Sequence, residues 1–252
     1  MARLVKHQEH TVKRNEILDA AQRLVYSKGY QQMAIQDILD DLHISKGAFY
    51  HYFNSKSAVL EALIERMVVE EVIPLLIPIV QDDRLTALEK LQRFFEAAAR
   101  WKTAQKTFML SLLRVWYADE NAIVRQKLFA MSIERVTPLL SEIIHQGIQE
   151  GVMTTSYPDQ AGEIIFSLLQ SLGDAFIRLL LSFELDRGNL RQSKIIVAAY
   201  TEALERVLGA PSGSIEIIDD ATQKEWFLSA GDFNLGGPAS EFIDVSEGSR
   251  VD

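Results

Sequence analysis

A chain of 252 residues with 48% hydrophobic and 24% charged side chains has the make-up of one large or two small globular domains, which excludes a disordered chain, a collagen-like fibre and a coiled-coil rod. It contains no cysteine, which removes disulfides, thiolate zinc sites and a thiol nucleophile. The net charge of −9 is unevenly spread: residues 1–60 hold eight Lys/Arg against six Asp/Glu, a local +2, and the remainder carries −11. A neutral-to-basic head on an acidic body is compatible with DNA at one end only. The apolar run Val72–Val80 falls far short of the ~20 residues that span a bilayer. The first ten residues lack the apolar core of a signal peptide, so the expectation is a cytoplasmic protein without membrane association.

The elements are almost all helical. Ile17, Leu18, Ala21, Leu24 and Val25 form one apolar stripe, and Gly29 follows where a left-handed C-terminal residue is expected. Ahead of it, residues 1–12 read as a flexible arm. A second short helix fits Ile35–Leu42. Ser45 then caps a third that contains Ala48, Phe49 and Tyr52, and Ser55 caps a fourth running from Lys56 to Met67. Pro74 and Pro78 are expected to end or kink the fourth helix. Helical periodicity continues over 84–103, 107–118, 121–150, 159–185 and 189–208. Residues 210–252 hold two basic and nine acidic side chains and read as a mostly flexible acidic tail, with at most a short helix at Asp220–Leu228. The expected organisation is an arm (1–12), a head (13–58), a helical body (59–209) and the tail.

Two short helices joined by the tight turn His43-Ile44-Ser45 have the dimensions of a helix-turn-helix. At helical spacing Phe49, Tyr52 and Phe53 point inward. Ser45, Lys46, Gly47, Ala48, Tyr50 and His51 are left for a DNA groove, where small and polar side chains reach phosphates and base edges. Gly47 permits close backbone approach and Lys56 opens the next helix beside a phosphate, while Arg14, with Arg3, Lys6 and Lys13, is expected either in an arm along the DNA backbone or minor groove or in a solvated terminus. His7 and His10 stand three apart with only Glu9 nearby, so no metal site is expected and no cofactor is implied.

The body offers no serine–histidine or paired-carboxylate arrangement that supports catalysis, and no catalytic residue is assigned. The segment 159–185 is apolar nearly all round, so it must be covered on more than one side. Together with the stripe on 189–208 it suits a four-helix homodimer interface, with Phe166, Leu169, Leu172, Phe176, Ile196, Ala199 and Ala203 as its members.

Over Arg14–Leu60 the chain resembles the TetR family of bacterial transcriptional regulators. The resemblance rests on Ile17-Leu-Asp-Ala-Ala21, Lys28-Gly-Tyr30, Asp37-Ile38, Ile44-Ser-Lys-Gly-Ala-Phe-Tyr-His-Tyr-Phe53 and Ser55-Lys56. The chain departs from the family pattern at Leu39, His43, Ala34 and Ala48, and Asp40 and Asp41 add negative charge near the presumed DNA face. The resemblance implies an all-α protein: a helix-turn-helix head followed by a helical bundle that binds an effector and dimerises. It implies a homodimeric repressor of near-palindromic double-stranded operators, released by a small-molecule effector. Aromatics at helical spacing in the body pack by default in its core; the resemblance raises the alternative of an effector pocket, with Trp101, Phe108, Arg114, Trp116 and Tyr117 as candidates. The alternative is a helical ligand-binding protein or enzyme whose head is vestigial.

Overall fold

The computed structural model describes residues 2–116, 121–181 and 187–228, and among these the side chains from His10 onward apart from 111, 113–116, 181, 187, 188 and 228. The described residues form helices α1 (Ala2–Lys28), α2 (Ile35–Leu42), α3 (Lys46–Tyr50), α4 (Lys56–Arg66), α5 (Ile73–Val80), α6 (Ala87–Ala104), α7 (Lys106–Trp116), α8 (Ala122–Gln149), α9 (Pro158–Leu181), α10 (Arg187–Leu208) and α11 (Asp220–Leu228). A π-helical turn, Met67–Val72, joins α4 to α5. No strand occurs among the described residues.

Two differences from the sequence expectation concern the ends. Helix α1 begins at Ala2, so residues expected to form a loose arm continue the first helix backward. They lack an apolar stripe, but nothing among them breaks a helix, and Ala, Leu, Lys, Gln and Glu all propagate one. At the other end, residues 210–228 are not a flexible tail. Ile215, Ile217 and Phe227 are buried in the body core, and α11 packs on α6 and α10. The acidic surface residues mask three apolar anchors that earn the segment its place. Residues 229–252 lie outside the described residues.

The prolines also act differently from expectation. Pro74 is the second residue of α5, directly after the π-helical turn, and Pro78 lies inside α5 without ending it. In that turn the Ile73 N–H bonds the Val68 carbonyl five residues back, and the backbone stays helical throughout. The exit of α5 is closed by Lys90 on α6, whose buried ammonium donates to the Val80 carbonyl at 2.6 Å.

Burial divides the apolar side chains into two clusters. One, in the body, centres on α5, α6 and α8–α10, with Leu140, Ile143, Ile165 and Leu204 fully covered. The other gathers α1–α4 around Ile17, Leu18, Ile38, Phe49 and Leu60, and it does not stop at residue 58. Leu63, Met67 and, from α7, Phe108 and Leu112 belong to it. The head is thus built partly from the body's own helix.

Candidate nucleic-acid interface

The turn between α2 and α3 is set by backbone geometry. His43 adopts the left-handed conformation (φ 51°, ψ 43°) and its N–H bonds the Leu39 carbonyl, with Ile44 donating to the same oxygen at 3.0 Å. This is the position where glycine is the least strained residue. Ser45 then caps α3, its Oγ accepting from the Ala48 N–H at 3.2 Å, and Ser55 caps α4 by accepting from Ala58 at 3.0 Å. Ala34, which lacks a capping hydroxyl, is served from the other direction: its N–H donates to the Asp37 carboxylate at 2.6 Å.

Helix α3 buries one face and offers the other. Phe49 and Phe53 are buried and Tyr52 is half-buried; Ser45, Lys46, Gly47, Tyr50 and His51 are exposed, with Ala48 at the boundary. The Tyr50 ring stands edge-on to Phe49 at 5.5 Å, and the Lys46 ammonium sits 5.9 Å from the Tyr50 ring centre. A Cβ on Gly47 would meet only Ser45 Oγ, 3.9 Å away, so the protein itself does not require glycine there.

Two of the expected contacts are partly engaged within the protein. The Arg14 guanidinium lies 5.4 Å from the Phe53 ring centre. The Lys56 ammonium lies 4.3 Å from the Tyr30 ring centre and donates to the Gln31 carbonyl at 3.2 Å. The nearby acids are tied down as well. Asp41 pairs with Arg23 at 2.7 Å, and Asp40 accepts from Gln36 at 2.7 Å. Asp37 pairs with Lys28 at 2.5 Å, and this bond, helped by the Ala34 N–H, holds its carboxyl below the usual range.

One residue of this surface escaped the sequence reading. His10 packs against the end of α3, 4.7 Å from the Tyr52 ring and 5.6 Å from the His51 ring. Its spacing of four from Arg14 would have placed it there, had α1 been extended backward. No group of three metal-ligating side chains occurs among the described residues, and none of the described helices is long and apolar enough to cross a membrane.

The pocket candidates fare differently. Phe108 has no exposed surface and stacks 5.1 Å from Tyr26 of α1, so it fills the joint between head and body instead of lining an open pocket. Trp101 is at the same joint, donating its indole N–H to Glu71 of the π turn at 3.0 Å. The side chains of Arg114 and Trp116, and all of Tyr117, lie outside the described residues. An aromatic run at helical spacing cannot by itself tell a joint from a cavity wall.

Of the expected interface residues, Phe166, Leu172 and Phe176 are buried inside the chain's own body, Phe166 against Phe129 at 5.9 Å and Phe176 against Phe227 at 5.2 Å. They are therefore internal core residues. Leu169, Ile196 and Ala203 are half-buried and Ala199 is exposed. Among the described residues, the large apolar side chains exposed on these two helices are Ile164, 45% exposed, and Ile195, 54% exposed.

Comparison with known proteins places this geometry. The family profile for bacterial regulatory proteins of the tetR family matches residues 17–63, and the tetracycline repressor-like C-terminal domain profile matches residues 114–196; together they span slightly over half the chain. The repressor NemR of Escherichia coli K12 is 38% identical over 61 residues, 24% of this chain and 30% of that protein. An uncharacterised helix-turn-helix regulator of Lactococcus lactis is 44% identical over 55 residues, 22% of this chain and 28% of that one. The chain thus matches under a third of the length of these curated relatives. The fold is shared more widely: a transcriptional regulator from Cytophaga hutchinsonii superposes with a TM-score of 0.58 at 17% identity, covering 78% of this chain and 98% of that one. A regulator from Pectobacterium atrosepticum gives 0.56 at 19% identity, covering 81% and 98%. With both halves of the family pattern matched in order and the helix-turn-helix formed as that pattern requires, the chain belongs to the TetR family of bacterial regulatory proteins.

Proposed function

We propose that the protein is a homodimeric transcriptional repressor that binds a near-palindromic DNA operator through α3 and is released by a small-molecule effector held in the body. The observation that carries this reading is the divided surface of α3, with Phe49 buried while Lys46, Gly47, Tyr50 and His51 are exposed on a helix rigidly capped at Ser45. The DNA-facing set is Arg14, Ser45, Lys46, Gly47, Ala48, Tyr50, His51 and Lys56, joined by His10. The 61-residue match to NemR, a protein named as a transcriptional repressor, supports the same role.

Two copies meeting through the outward faces of α9 and α10 would set the heads about one helical turn of DNA apart. Ile164 and Ile195 anchor that contact, with Leu169, Ile196, Ala199 and Ala203 beside them. The protein acts in the cytoplasm, by binding and not by catalysis. Effector control runs through α4 and the π turn, which connect the head to the body, so that effector and operator favour different head positions.

Selection from a random DNA library at ~150 mM salt tests the reading. The full chain should enrich a sequence with two related half-sites, and Tyr50→Ala should weaken binding to it by tenfold or more while leaving weak binding to unrelated DNA unchanged. Equal binding to every sequence would remove the operator and leave the body as the functional part.

A further inference from the structure

The corner between α6 and α7 is gripped from two sides. Toward the head, Gln105 accepts a hydrogen bond from the Tyr26 hydroxyl of α1, and the Phe108 ring lies 5.1 Å from the Tyr26 ring. Burial and the Glu71 carboxylate raise the Tyr26 hydroxyl above its usual pKa, so it stays protonated as the donor. Toward the C-terminus, Thr103 Oγ1 accepts from the Trp226 indole N–H at 3.0 Å. The Lys106 ammonium donates to the Glu225 carbonyl at 2.6 Å and lies 5.6 Å from the Trp226 ring centre. Within six residues, then, one corner touches both the DNA-reading head and the final helix.

That final helix is itself held firmly on the body. Phe227 packs 5.2 Å from Phe176 of α9. Buried Gln223 accepts from Ser193 of α10 at 3.2 Å and donates to the Ile218 carbonyl at 3.1 Å. Asp220 pairs with Lys194 of α10 and with Lys224. Helix α11 therefore bridges the α9–α10 pair and the corner under the head.

We propose that Lys106 and Trp226 are positioning residues: α11 acts as a strut that fixes the α6–α7 corner and so sets how the head stands on the body for operator binding. The proposal rests on the operator-binding reading above. Two heads that must meet two half-sites at one spacing bind best when their orientation is fixed beforehand, because a loose corner must be ordered at the moment of binding. Neither residue belongs to the DNA-facing set, so loosening the corner changes affinity without changing how many phosphates are neutralised.

Full-chain Lys106→Met, which keeps the side-chain length and removes the donor, is compared with wild type, with Lys106→Arg and with Thr103→Val, which deprives the Trp226 indole of its acceptor. Lys194→Met, which removes one exposed ion pair of α11 and leaves it anchored through Phe227 and Gln223, is the control. Operator binding of Lys106→Met and Thr103→Val should weaken about three- to tenfold. The slope of log affinity against log salt should stay at the wild-type value. Lys106→Arg should recover most of the loss, and Lys194→Met should bind as wild type. Amide hydrogen exchange over residues 25–33, on the head side of the joint, should speed up in Lys106→Met without DNA present. Either readout remaining at the wild-type level in both corner variants overturns the proposal, as does a shallower salt slope, which would make Lys106 a phosphate contact. If wild type selects no operator, the repressor reading falls, and exchange at residues 25–33 alone decides whether α11 holds the head.

Discussion

Gly47 is a position where the demands of the fold and of the proposed DNA contact can be separated. Its surroundings would accept a methyl group, the nearest heavy atom being 3.9 Å away, and alanine is a better helix former than glycine by up to about 1 kcal/mol. Gly47→Ala should therefore leave the thermal midpoint unchanged or slightly higher while weakening operator binding, because the methyl group stands where DNA backbone must approach. A lower midpoint together with full binding would show glycine serving the fold instead. His43 is the converse case: it holds a left-handed backbone conformation that a glycine would adopt without strain, and the bonds of its own N–H and that of Ile44 to Leu39 hold it there. Both residues could be singled out from the sequence, since turn and helix start are local. What the neighbours of Arg14 and Lys56 would be, Phe53 and Tyr30, was not legible, because those contacts cross between helices.

Between elements, the tie of α1 to α2 is electrostatic at its rim. The Lys28 ammonium and the Ala34 N–H both stabilise the ionised Asp37 carboxylate, which lowers its pKa in the folded protein. A carboxyl whose folded pKa is depressed stabilises the fold above its unfolded pKa of about 3.9 and loses that contribution as pH falls through the folded value. Asp37→Asn should thus lower stability at pH 7, and the difference from wild type should shrink and vanish as unfolding is followed below about pH 4. A difference that persists undiminished into strong acid would assign the effect to the helix cap alone. Helix positions themselves followed closely from apolar spacing and Ser caps. Their exceptions came where periodicity carries no signal: the polar first turns of α1, and the proline segment, expected to end or kink the helix, where a π-helical turn leads into a helix that continues through Pro74 and Pro78.

At the scale of the whole molecule, Ile195 stands 54% exposed on α10, beside half-buried Ile196, and Ile164 of α9 is exposed as well. In the proposed dimer Ile195 is covered by the partner subunit. Ile195→Asp should leave the isolated fold within about 0.5 kcal/mol of wild type, as surface substitutions usually do. It should shift sedimentation from dimer to monomer, because a desolvated carboxylate opposes the contact. Operator binding would fall with it, since one head alone engages one half-site. A variant that still sediments as a dimer moves the interface away from this face.

The helical class, the order of the elements and the helix-turn-helix were legible in the amino-acid order, because each follows from spacing, caps and turns within a few residues of one another. Which apolar faces meet came from long-range packing. It turned Phe108 and Trp101 from pocket candidates into the head–body joint, drew Phe166, Leu172 and Phe176 into the chain's own core, and docked Ile215, Ile217 and Phe227 of an acidic segment onto the body. The physical reason is common to all three. Apolar burial has no direction and no sequence range, so an amphipathic stripe announces that it will be covered without naming the surface that covers it.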